Sequence, residues 1–247
     1  NTFPTQTISI AANSVSSLNL APWLSQVENK PANTVLNKGI KISSTSLIQA
    51  YYEVNPSNNL NPDIYALKGT NALGTSFFVP FQNYLNNGYP QSPASFDIVA
   101  TEDNTTIEIT PRKPIVGHPQ NVTFTITLDA GETWSGRATS TAASQHPFGT
   151  VVNSDKPIAI TISDDSLNGT PYGGCADLFG DQIVPTEIVG TEYIAIKGNL
   201  NGPDKVFFIP TEPNTTISVN GNVVTTLNSL TSIYTHTLYA NSAFYES

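Results

Sequence analysis

The chain has 247 residues, 12% of them charged, with a formal net charge of −9. Ten Lys and Arg leave no basic footprint for nucleic acid, and the same balance argues against direct contact with an anionic membrane. One cysteine excludes an internal disulfide framework, and no apolar run approaches the ~18 residues that a membrane-spanning helix needs.

Solubility is carried by Asn, Ser and Thr, a profile that suits exposed β-sheet, with Thr on the pleat and Asn and Ser in turns. Acidic balance also fits a protein that stays soluble outside the cell or binds divalent cations. There is no methionine anywhere in the chain. A processed secreted chain or an excised domain of a longer protein is therefore expected.

Taken in order, Ile8 and Ile10 alternate with polar neighbours and predict a strand over 7–15. Pro22 sits where a short helical turn over 22–30 would start, and Pro31 ends it. Two strands are expected within 39–54, then a loop rich in Asn and Pro. A short aromatic strand covers 77–81, and 83–93 reads as loop. The spacing of Phe96, Ile98 and Ala100, then Ile107 and Ile109, predicts a hairpin turning at Glu102-Asp103-Asn104. An alternating strand comes next, over 122–128.

Later strands are expected at 158–163, 193–197, 222–227 and 232–238, with a second hairpin over 206–219. Asn220-Gly221 is a type I′ turn signal, because both central positions of that turn need positive φ.

The halves repeat. Thr101-Glu102-Asp103-Asn104-Thr105-Thr106-Ile107 reads against Thr211-Glu212-Pro213-Asn214-Thr215-Thr216-Ile217, a shift of 110 residues from Thr101 to Thr211. The same shift lays Gly39 on Gly149, Ser44 on Ser154 and Ile48 on Ile158. Leu73-Gly74-Thr75 meets Val189-Gly190-Thr191 at a shift of 116. The expected fold is all-β, as two tandem sandwich-like repeats over 1–122 and 123–247; a β-propeller-like array is the alternative.

Residues 154–198 hold Cys175 and the acids Asp164, Asp165, Asp177 and Asp181. These four aspartates are hard oxygen donors, the type calcium prefers, although their spacing fits no EF-hand loop. The plainer reading is a solvated loop with aspartates serving turns and caps. Cys175 has no flanking nucleophile signature, Ser166 lacks a Gly-x-Ser-x-Gly elbow, and His118, His146 and His236 lack zinc spacing. The run 169–174 is no phosphate loop. Catalysis has no residue set here. Among the aromatic side chains, Tyr84 and Tyr89 in the 83–93 loop are the candidates for stacking on a ligand such as a sugar.

The pattern Ser154-Asp155-Lys156-Pro157-Ile158-Ala159, Asp164-Asp165-Ser166, Gly173-Gly174-Cys175 with Asp177, then Gly180-Asp181-Gln182 and Gly190-Thr191-Glu192-Tyr193 resembles the N-terminal domain of the IgGFc-binding protein family. The resemblance covers roughly 39–240 and is nearest to versions in secreted multidomain proteins of Bacteroidota. It implies a non-enzymatic adhesion or structural module of a large cell-surface protein, exported by type IX secretion and associated with gliding motility. Its partners would be neighbouring domains of the same chain and a surface protein or glycan. A carbohydrate-binding module of a secreted enzyme is the alternative.

Overall fold

A computed structural model describes residues 3–54, 62–168, 176–198 and 202–239, and the backbone of 243–245. Among the described residues sixteen strands run in chain order. They are β1 (Ala50–Val54), β2 (Asp63–Leu67), β3 (Gly74–Val79), β4 (Asn86–Asn87), β5 (Ser95–Ala100), β6 (Thr105–Thr110), β7 (Phe124–Leu128) and β8 (Thr133–Arg137). Then come β9 (Thr150–Asn168), β10 (Asp177–Gln182), β11 (Ile194–Ile196), β12 (Asp204–Phe208), β13 (Thr215–Val219), β14 (Asn222–Leu227), β15 (Tyr234–Leu238) and β16 (Ala243–Tyr245). The fold is all-β with several antiparallel sheets, and its organisation is sandwich-like. No helix among the described residues is long and apolar enough to cross a membrane.

The 19-residue strand β9 is the hub. One edge of it pairs in turn with β6, β5 and β4; the other pairs with β3 and then β10. Its even positions explain the burial: Val152, Ile158, Ile160 and Ile162 join Phe96, Ile98, Ile107, Ile109 and Trp134 in one core. Strands β3 to β6 share one sheet with β9.

The two expected hairpins are corners instead. β5 and β6 do not pair with each other; both run antiparallel to β9, end to end along it. β8 pairs with β5 and β7 with β6, so the 129–132 turn bends at the same place. The turns lock each other: Asn104 N–H donates to Asp129 Oδ1 at 2.9 Å, and Ala130 N–H donates to Asp103 Oδ1 at 3.0 Å. β9 bends with them, where Lys156 Nζ donates to the Asp103 carbonyl at 2.5 Å and Asp155 Oδ1 accepts from Thr106 N–H at 2.8 Å. The same holds later, since β12 pairs with β15 and β13 with β14. Asn220 and Gly221 both have positive φ and close the β13–β14 hairpin, as their sequence predicts.

No strand forms over 7–15, and 40–48 joins no sheet among the described residues. Alternation alone does not make a strand without a neighbour to accept its backbone. The expected helical turn is present as Ala21–Trp23 and Leu24–Val27. Residues 33–39 lie along the outer edge of β8, through Leu36 and Thr133 exchanging hydrogen bonds of 2.9 and 2.7 Å.

Candidate functional site: a braced surface loop

The acids of 154–198 do not sit in a loop. β9 continues to Asn168, so Asp164, Asp165 and Ser166 are strand residues, and Asp177 and Asp181 lie on β10. The sequence reads 164–182 as loop because Asp and Ser are poor strand formers. A β-bulge lets them in. Asp164 faces Phe179 and Leu167 faces Asp177, leaving two β9 residues against one on β10. Ser166, at φ 53° and buried, is the residue that absorbs the bulge.

Asp164 continues the inward-facing series of Ile158, Ile160 and Ile162 and enters a buried polar knot under the 81–92 loop. Asp164 and His146 are 0% exposed, and His146 Nδ1 lies 3.2 Å from Asp164 Oδ2. Gln82 Nε2 donates to Asp164 Oδ2 at 2.9 Å, and Asn87 Nδ2 donates to Asp164 Oδ1 at 2.8 Å. Asn87 Nδ2 also donates to the Asp165 carbonyl at 2.6 Å. That turns Asn87 Oδ1 towards His146 Nε2, 3.0 Å away. His146 Nδ1 also faces the Gln82 carbonyl at 3.1 Å. Gln82 Nε2 lies 3.0 Å from His146 Nδ1 as well, so both ring nitrogens are held within the knot.

Gln82 Oε1 in turn accepts from Tyr84 and Leu85 N–H at 2.6 and 2.7 Å. Sequence does not single out Gln82, Asn87 and His146 together: they come from three separate segments with no periodic signal. Their only mark is polarity next to aromatic residues in a stretch that reads as loop.

Above this knot the loop presents aromatic surface. Tyr84 is 47% exposed and Tyr89 54% exposed. Lys205 Nζ stands 4.2 Å from the centroid of the Tyr84 ring. The two tyrosines are thus exposed on a loop whose backbone is hydrogen-bonded to the buried Gln82.

The remaining acids are dispersed. Asp181 Oδ2 pairs with Lys68 Nζ at 2.5 Å, and its Oδ1 accepts from Gln182 N–H. Gln182 Oε1 accepts from Lys68 N–H at 2.8 Å. Gly180 is needed by Tyr65: a Cβ at position 180 would come within 2.4 Å of the Tyr65 hydroxyl and of the Ile162 carbonyl. Gly180-Asp181-Gln182 is thus a clamp that holds β2 and Lys68 over β10. Asp177 is exposed and accepts from Leu178 N–H. Among the described residues no three His, Cys, Asp or Glu side chains converge as a metal site. Cys175 and the 169–174 run lie outside the described residues.

One carboxylate elsewhere is perturbed. Asp97 projects from the opposite side of β5 to Phe96 and Ile98, and accepts from Asn29 Nδ2 at 2.7 Å. Burial pushes it up from 3.8 to about 6, against the pull of hydrogen bonds from Asn29, Ser135 and Ser95. The fold therefore holds this proton more tightly than the unfolded chain does. The stability it contributes is complete below the unfolded value and is lost as pH rises through about 6. Asp97 keeps some solvent contact, so the loss between pH 4 and 7 is expected to be about 1–2 kcal/mol. Thermal melts of Asp97→Asn against the parent chain should show the parent's excess pH slope disappear; parallel slopes would contradict it.

A family model described as IgGFc binding protein matches residues 63–247. Comparisons with curated proteins and with solved structures return no match.

Proposed function

The chain belongs to the IgGFc binding protein family, and from that premise we propose that it is a non-enzymatic adhesion module of a large secreted bacterial surface protein. The finer setting proposed with it is a Bacteroidota protein of the type IX secretion pathway, associated with gliding motility. Its partners are other domains of the same chain and a protein or glycan on an apposed surface.

The observation that carries binding rather than catalysis is the braced loop. His146, the histidine nearest the acids, spends both ring nitrogens on Asn87, Gln82 and Asp164. It is fully buried, so it brings no free base to a surface. Solvent meets Tyr84, Tyr89 and the Lys205 ammonium over the Tyr84 ring instead. Exposed rings on a fixed loop also favour the second reading, a carbohydrate-binding module.

The test is a binding screen of the intact chain against immobilised glycans and against extracellular proteins that include immunoglobulin Fc. Tyr84→Ala and Tyr89→Ala should each weaken the hit about tenfold or more, in line with truncation of an aromatic anchor. Neither should lower the melting temperature appreciably. Hits that ignore both substitutions would remove the loop as the site.

Calcium binding is the remaining proposal for the acidic stretch. Its ligands would be the carboxylates of Asp164, Asp165, Asp177 and Asp181, of which Asp164 and Asp181 already hold protein partners that calcium would have to displace. Calcium should then raise the melting temperature, with the rise abolished in Asp177→Asn; no shift on adding calcium or chelator removes the site.

A further inference from the structure

The 81–92 loop offers side chains to a ligand and little of its backbone. The N–H groups of Tyr84 and Leu85 donate to Gln82 Oε1. Asn87 N–H donates to the Thr141 carbonyl, Gly88 N–H to the Ser166 carbonyl and Ser92 N–H to the Tyr89 carbonyl. A peptide that binds by strand addition needs free main-chain donors along an edge, and these donors are already used. Recognition therefore falls to the exposed rings of Tyr84 and Tyr89. A tyrosine ring has an apolar face and a polar tip. That suits a pyranose, with C–H bonds against the ring and hydroxyls at its rim.

The second half of the chain brings a cation to the same place. Lys205 lies on β12 with Thr237 opposite it on β15, and Phe207 with Thr235 is the next pair on that face. Val206 and Leu238 turn the other way, into the small core around Val219. Lys205 thus leaves the second core behind, and its ammonium reaches the Tyr84 ring, 4.2 Å from the centroid.

This cation has no carboxylate to neutralise it. Lys30 pairs with Glu28 and Lys68 with Asp181, but among the described residues no acid pairs with Lys205. The adjacent Asp204 accepts from Gly198 N–H at 3.1 Å instead. The loop carries no charged residue between Phe81 and Phe96. Asp164 beneath it is buried and accepts from the Gln82 and Asn87 amides. Arg137 adds a second cation near the end of the loop, where its Nη2 donates to the Gln91 carbonyl.

On the reading of this loop as the binding surface, we propose that its ligand is an acidic sugar, a pyranose that stacks on Tyr84 and sets its carboxylate against Lys205. The ammonium supplies a charge-assisted hydrogen bond, stronger than the neutral one a hydroxyl would make. The net charge of −9 does not forbid this. At physiological salt, charges beyond ~8 Å are largely screened, so a single carboxylate answers to the cation beside it.

Uronic and sialic acids share this chemistry, and calorimetry on the intact chain separates them. The probes are a uronic-acid trisaccharide with its carboxyl-reduced form, and a sialylated trisaccharide with its asialo form. At least one acid should bind about tenfold more tightly than its neutral counterpart. That preference should disappear in Lys205→Met and persist in Lys205→Arg, and Tyr84→Ala should weaken binding of the acid as well. The comparison of acid with neutral sugar needs no variant, so it holds even if Lys205→Met disturbs the loop. Equal binding of acid and neutral sugar overturns the proposal. A preference that survives Lys205→Met overturns it too, as does acid binding that ignores Tyr84→Ala. If neither acid binds while another glycan or a protein binds in a Tyr84-dependent way, the acidic sugar is wrong and the loop remains the site. If nothing that binds responds to Tyr84→Ala or Tyr89→Ala, both readings fall.

Discussion

Asp164→Ala is expected to destabilise the fold by about 2–5 kcal/mol, since it strips two buried side-chain amides of their acceptor. Asp164 is the acceptor for Gln82 and Asn87 amides and stands beside His146, all beneath the 81–92 loop. Without it, two buried N–H groups lose their partner, and the buried ring of His146 loses a polar neighbour. His146→Leu should cost a similar amount for the converse reason. The double variant should be less destabilised than the sum of the two, because neither partner is left stranded. Chemical denaturation of the four proteins gives the coupling. Should the single variants prove too unstable to purify, limited proteolysis of Asn87→Ala reads the same brace, with cleavage expected first in 81–92. Additive losses, or a loop as resistant as the parent's, would mean that the knot is not a unit.

The parts of this fold that sequence makes legible are those set by local chemistry. Asn220-Gly221 needs positive φ, and Asn104 and Asn214 adopt it as well. The alternation of Phe96, Ile98 and Ala100 buries those residues. The path of the chain beyond an αL turn is a different matter. Glu102-Asp103-Asn104 does turn the chain, but a hairpin and a corner demand the same residue types there. The choice is made by β9, which arrives from about fifty residues away and holds β5 and β6 along one edge. The strand at 7–15 fails for the opposite reason: its alternation is present and its partner is not. The acidic stretch is misread because a bulge lets Asp164 and Ser166 stay in a strand, and no short window shows a bulge whose partner lies across a loop. The tyrosines are readable as surface candidates; the knot that fixes their loop is not, since it assembles Gln82, Asn87, His146 and Asp164 from separate elements.

Ile107→Ala and Ile217→Ala make the same deletion at equivalent positions of the two copies, and they should differ several-fold in effect. Ile107 is 0% exposed, on β6 between β7 and β9, and packs in the main core. Its truncation should cost about 2–5 kcal/mol, through lost transfer energy and a cavity that the surrounding strands cannot collapse. Ile217 is half-buried on β13, which pairs only with β14 among the described residues. With solvent already at its side, little cavity forms, and the cost should be about 1 kcal/mol. Denaturant melts of the two variants against the parent chain make this comparison. Equal costs would mean that Ile217 is packed as tightly as Ile107, and that its partial exposure does not relieve the cavity.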